Sequence, residues 1–107
     1  AGMASASGLA YLEGLSKAQV EDAFNIMASD IMGILCDGAK SSCAIKSATG
    51  VNSLLRSLQL VKKGFSIPPL FGIIGKTVDE TIINIGKISN PGMLETDQEI
   101  LKIMTAK

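Results

Sequence analysis

Apolar residues recur at helical spacing in several stretches of this chain. The clearest is Val20, Ala23, Phe24, Met27, Ile31 and Ile34, with Glu21, Asp22 and Asn25 on the opposite face. Ser16-Lys17-Ala18-Gln19 opens that stretch as a capping box, so the spacing predicts a helix over 17–34. A methionine and phenylalanine stripe of this kind is core, not a cofactor box. A second stretch, 42–62, carries Ala44, Ile45, Ala48, Val51, Leu54, Leu55, Leu58 and Val61 on one face. Gly50 inside it points to a close neighbour. Lys62 and Lys63 suit the C-terminal end of a helix electrostatically.

Before these, residues 2–13 are dominated by glycine, alanine and serine. Glycine in a helix costs ~1 kcal/mol relative to alanine. Such a helix is worth forming if its backbone approaches another helix closely, and Leu9, Tyr11 and Leu12 give it something to bury. Gly14 ends it. Residues 64–76 read as a loop, because Pro68-Pro69 blocks helix. That loop is apolar enough to lie against the body or a partner. Thr77-Val78-Asp79-Glu80 is a second capping box, opening a helix with Val78, Ile82, Ile85 and Ile88. Asn90-Pro91-Gly92 breaks it. Thr96-Asp97-Gln98-Glu99 reads as a third box, opening a last helix with Ile100, Leu101, Ile103 and Met104. No stretch alternates with period two. The expectation is an all-α fold of about five helices, one compact helical domain over residues 1–107.

Composition narrows the chemistry. Ten basic and ten acidic residues cancel, so no global field attracts nucleic acid or an anionic membrane. Histidine is absent, which removes Ser-His-Asp and Cys-His catalysis and the commonest zinc ligand from these residues. Four aromatic residues are too few for a base-stacking platform. No apolar run reaches the ~20 residues of a membrane span, and the N-terminus has no signal-peptide pattern. A cytoplasmic, reducing location is expected, since two cysteines make no disulfide framework.

Those two, Cys36 and Cys43, sit in Cys-Asp-Gly-Ala-Lys-Ser-Ser-Cys, between the two strongest helical patterns. Gly38 lets the chain turn between them. With Cys43 in the first turn of the next helix, free backbone N–H groups there would favour a thiolate. Spacing alone leaves three readings: two inert buried thiols, a metal or iron–sulfur corner, or a disulfide. Two thiols alone complete neither a Cys₄ cluster nor a zinc site. Gly72-Ile73-Ile74-Gly75-Lys76-Thr77 mimics the end of a phosphate-binding loop, but Leu70 stands where that loop needs glycine.

Residues 36–50, Cys-Asp-Gly-Ala-Lys-Ser-Ser-Cys-Ala-Ile-Lys-Ser-Ala-Thr-Gly, resemble a signature of the iron–sulfur L-cysteine desulfidase family. That family is related to the α region of bacterial iron–sulfur L-serine dehydratases. The resemblance continues through Gly72-Ile73-Ile74, Val78-Asp79-Glu80-Thr81-Ile82, Asn84-Ile85-Gly86 and Gly92-Met93-Leu94-Glu95-Thr96-Asp97. It implies a [4Fe–4S] cluster held by three cysteines, two at the positions of Cys36 and Cys43, with one iron open to substrate. The third ligand would fall just upstream of Ala1, and a further cysteine proposed as base would lie nearer the N-terminus. It implies β-elimination of a small amino acid: L-cysteine to pyruvate, ammonia and hydrogen sulfide, or L-serine to pyruvate and ammonia. Lys40, Lys46 and Thr49 match the same motif, with solvated charge and helix packing as their plainer reading. The chain is thus expected to be the C-terminal portion of a larger helical enzyme. It should be silent by itself, because it brings two thiolates where three are needed. The partners expected are a small amino-acid substrate and the N-terminal remainder of the same protein, with a homo-oligomer left open. A non-catalytic paralogue or helical interaction domain is the competing class.

Overall fold

A computed structural model describes residues 1–107 and contains five α-helices and no strand. They are α1 (Gly2–Leu12), α2 (Lys17–Ile31), α3 (Cys43–Lys62), α4 (Val78–Ser89) and α5 (Leu94–Thr105). The all-α expectation holds. α1, α2 and α3 pack on one another, α4 lies along α2, and α5 is peripheral. The molecule is a flattened body of 49 × 28 × 16 Å, with a radius of gyration of 15.3 Å. A spherical domain of this length has about 13 Å.

Small residues set the packing of α1. Gly2, Ala6 and Ala10 form a stripe at i, i+4, i+8, and both alanines are fully buried. A Cβ at Gly2 would come 2.6 Å from Met27 Cε, so the tip of that side chain rests against the bare backbone of α1. α1 and α2 are in close contact as expected, and of the expected apolar residues Leu9 packs against the core while Tyr11 and Leu12 are exposed. Gly14 takes φ +77° and closes α1, with Leu15 N–H reaching back to the Ala10 carbonyl at 3.1 Å.

The capping box at the start of α2 is complete. Gln19 N–H donates to Ser16 Oγ at 3.2 Å, and Ser16 N–H donates to Gln19 Oε1 at 3.0 Å. α2 buries Ala23, Ile26, Met27 and Ala28. It ends at Ile31, not at residue 34, because Gly33 weakens the turn and Ile34 meets no surface that would bury it. On α3 only the C-terminal half is sealed, by Leu58 and Val61; full burial of such a side chain is worth ~1.5–3 kcal/mol. Ile45, Val51 and Leu55 stay exposed, and Gly50 has no neighbour within 4 Å, so the close contact expected there is absent. Buried Ser53 donates to Asp30 Oδ2 at 2.6 Å instead, and Arg56 pairs with the same carboxylate at 3.3 Å.

The 64–76 loop lies on the body as expected, with Ile74 buried. A polar pin holds it. Gly75 N–H donates to Thr81 Oγ1 at 3.0 Å, and that fully buried hydroxyl lies 3.2 Å from Asn25 Oδ1 on α2. Asn84 Nδ2 donates to the Ile73 carbonyl at 2.9 Å. At the start of α4, Thr77 Oγ1 accepts from Glu80 N–H, while Glu80 Oε2 accepts from Lys76 N–H rather than from Thr77. The backbone donors of the Gly75-Lys76 turn are thus occupied by the chain itself, and no phosphate cradle forms. The third capping box does not exist: α5 starts at Leu94, so Thr96 lies inside its first turn. α5 buries no residue.

Candidate functional site

Between α2 and α3, residues 35–39 make no backbone–backbone hydrogen bond. The segment turns at Gly38, whose φ of +103° is costly for any residue with a Cβ. Such a Cβ would also meet Met104 Cε at 2.5 Å, so the end of α5 covers this turn. The entry to α3 is tight. The N–H groups of Cys43, Ala44 and Ile45 donate to the carbonyls of Lys40, Ser41 and Ser42 at 2.9, 3.1 and 3.1 Å. The free amide donors expected beside Cys43 are therefore already used, and Ser42 makes no side-chain cap.

Charge at the corner comes from side chains instead. Asp37 is bridged by two lysines: Lys40 Nζ donates to Oδ2 at 2.6 Å and Lys46 Nζ to Oδ1 at 2.7 Å. Lys46 Nζ also donates to the Leu35 carbonyl at 2.7 Å. The hydrogen bonds from Lys40 and then Lys46 hold the Asp37 carboxyl far below the usual carboxylate range. Lys46 is raised, first by its hydrogen bond to Asp37. Thr49 Oγ1 bonds only to the Ile45 carbonyl of its own helix, so its motif match is local packing. Asp37 is the charge centre of the corner that the residue pattern does not single out; its i, i+3 spacing to Lys40 was the available signal.

Both thiols are free, Cys36 exposed and Cys43 half-buried. The two thiols form no disulfide with each other here, and Cys36 is not buried. Cys43 Sγ donates to the Gly38 carbonyl at 3.1 Å. The donor set suits an iron–sulfur cluster in kind: two soft thiols on either side of a turn, with lysines to offset a cluster's negative charge. In number it is incomplete, since no three histidine, cysteine, aspartate or glutamate side chains converge on one metal position.

One concave surface reaches Lys46 of the corner, and a second lies elsewhere on the body. A groove of about 480 Å³ runs between α1, the end of α2 and α3, with Ala1, Gly2 and Ile34 along it and Lys46 in its wall. An apolar cavity of about 170 Å³ lies between α1, α2 and α4, lined by Met3, Ile31, Met32, Ile85, Ile88 and Met93. No helix is long and apolar enough to cross a membrane.

Comparison with known proteins gives a consistent result. A UPF0597 protein of Desulfotalea psychrophila is 42% identical over 107 residues, covering 100% of this chain and 24% of its own length. One from Clostridium botulinum is 39% identical over 104 residues, covering 97% of this chain and 24% of its own. One from Clostridioides difficile is 37% identical over 98 residues, covering 92% and 23%. The chain thus spans about a quarter of the length of the curated relatives it matches. No solved structure matches it. The family described as serine dehydratase alpha chain matches residues 1–102, nearly the whole chain and the cysteine corner with it, and the chain belongs to that family.

Proposed function

We propose that this chain is the C-terminal portion of a [4Fe–4S]-dependent lyase that β-eliminates L-cysteine to pyruvate, ammonia and hydrogen sulfide. The observation that carries the reading is the pair of free thiols, Cys36 and Cys43, set on either side of the Gly38 turn, with Lys46 bonded to the residues on both sides of Cys36. In this reading Cys36 and Cys43 would hold the cluster as thiolates. Cys43 gives up its hydrogen bond to the Gly38 carbonyl to do so. Lys46 and Lys40 offset the charge that accumulates there. The bound group supplies an open iron acting as a Lewis acid toward the substrate. The reaction balances as L-cysteine plus water giving pyruvate, ammonia and hydrogen sulfide: the α-proton and the β-sulfur leave, and the resulting enamine tautomerises and hydrolyses. The third ligand is expected from residues preceding Ala1. In support, Ala1 and Lys46 line one groove.

The test is anaerobic reconstitution of the full-length protein followed by sulfide and pyruvate assays. Cys36→Ser and Cys43→Ser should each lower cluster content and lyase activity at least a hundredfold while leaving helix content unchanged. Retention of both in either variant removes these residues as ligands. A second reading, L-serine as substrate, is favoured by the family match. Pyruvate formed from serine faster than from cysteine would establish it.

A further inference from the structure

The segment that carries Cys36 is held in an unusual way. Residues 35–39 have no backbone–backbone hydrogen bond, Cys36 is exposed, and burial does not fix its position. What touches the segment is a few side chains projecting from elsewhere. Cys43 reaches the Gly38 carbonyl, and Met104 covers Gly38. Both act after Cys36, at the turn. Only Lys46 acts on both sides of it: one ammonium donates to the Leu35 carbonyl just before Cys36 and to the Asp37 carboxylate just after, each at 2.7 Å. Lys46 stands three residues after Cys43 on α3, so both lie on the same face of one rigid helix. Lys40, the other partner of Asp37, belongs to the loop itself and connects the corner to nothing fixed.

We propose that Lys46 is a positioning residue that straddles Cys36 and locks its thiol at a set offset from Cys43. This rests on the reading of the two cysteines as cluster ligands. A lysine ammonium has three donors, so it can bridge two acceptors and keep one N–H for the sulfur side. The two ion pairs of Asp37 are exposed, and exposed pairs add little to global stability. Their contribution is geometric. Without Lys46 the five residues 35–39 would hang from the ends of α2 and α3, and Cys36 would sample many positions relative to Cys43. A cluster site needs its ligands held in advance, since each degree of freedom frozen on binding weakens it.

The experiment uses the full-length protein and two readouts. The first, on metal-free protein, is cleavage by an endoprotease that cuts before aspartate, followed at the Cys36–Asp37 bond. The second is iron per chain and visible absorbance after anaerobic reconstitution. Lys46→Met keeps the aliphatic stem and removes the donors. It should speed cleavage at Asp37 at least fivefold, cut iron content at least threefold, and leave the thermal unfolding midpoint unchanged. Lys46→Arg should restore both within twofold, and Lys40→Met should change cleavage less than twofold. Cleavage of Lys46→Met at the wild-type rate overturns the proposal. So does an equal effect of Lys40→Met, which would assign the restraint to the charge of Asp37 alone, and so does full iron loading of a fast-cleaving Lys46→Met. If wild-type protein takes up no iron, the lyase reading fails, and the brace still stands or falls by the cleavage rates.

Discussion

The three-helix body and the cysteine corner are built by opposite means. In the body, α1, α2 and α3 bury Ala10, Ala23, Ile26, Leu58 and Val61 in one cluster. Its backbone is satisfied within the helices, and its order comes from apolar area removed from water. At the corner almost nothing is buried. Residues 35–39 lack backbone bonds, and position is set by one left-handed glycine, a bridging aspartate and two lysines. Removing a body residue should therefore weaken the whole fold. Removing a corner residue should leave the fold standing and disturb only where the thiols lie. A surface that must exchange ligands has reason to be assembled this way, because directional polar contacts specify geometry without closing the site to solvent.

The comparison is sharpest where the body is cut. Met27 is fully buried and its tip rests against Gly2 of α1. Met27→Ala should lower the stability of the chain by ~2–5 kcal/mol in a urea melt. A loss under ~1 kcal/mol would show that burial does not organise this region. Next comes the polar pin between body and loop. Thr81→Val leaves Gly75 N–H and Asn25 Oδ1 without their shared partner and should cost ~1–3 kcal/mol. Hydrogen exchange should rise first over residues 64–76, ahead of α3.

Gly38→Ala should break the corner and spare the body. Holding alanine in the left-handed region costs ~1–2 kcal/mol, and the methyl collides with Met104. The Met104 tip can swing aside, so the expected result is displacement of the Cys36 segment by the backbone strain, seen as faster alkylation of Cys43, with the contacts of α1, α2 and α3 unchanged in an NMR spectrum.

The smallest effects are electrostatic, and the two regions differ in sign. Asp22 is raised, first by burial and then by Glu21. Folding therefore loses stability as pH rises from the unfolded value of ~3.9, and Asp22→Asn should remove that loss for a gain of about 0.5 kcal/mol or less at pH 7. Asp37 is depressed, so its contribution is present above ~3.9 and is lost only as pH falls through its lower folded value. Cleavage before Asp37 should accordingly stay flat from pH 7 to 5 in buffered titrations.

Which parts were legible follows from the range of the interactions concerned. Helix existence is local: the Ser16–Gln19 box, Gly14 after α1 and Pro68-Pro69 after α3 act within a few residues, and each expectation built on them holds. The third box failed because Thr96 satisfies the pattern while Leu94 and Glu95 are already helical; a motif of four residues does not say whether its first member is a start. The apolar faces of α3 and α5 were equally clear in the pattern, yet Ile45, Val51 and Leu101 are exposed. Periodicity shows that a face is apolar, not that a neighbour covers it.

By itself the sequence determined the five helices, the turn at Gly38, the placement of the two cysteines around it, and the family. All of these depend on local spacing or on residue identity along the chain. Tertiary structure alone decided that the thiols are free and accessible, that the amides at the start of α3 are spent on the preceding turn, and that Asp37 and Lys46 supply the charge instead. Those outcomes depend on the path by which residues 32–42 leave α2 and return to α3. A lysine nine residues from an aspartate has no fixed relation to it until that path is drawn.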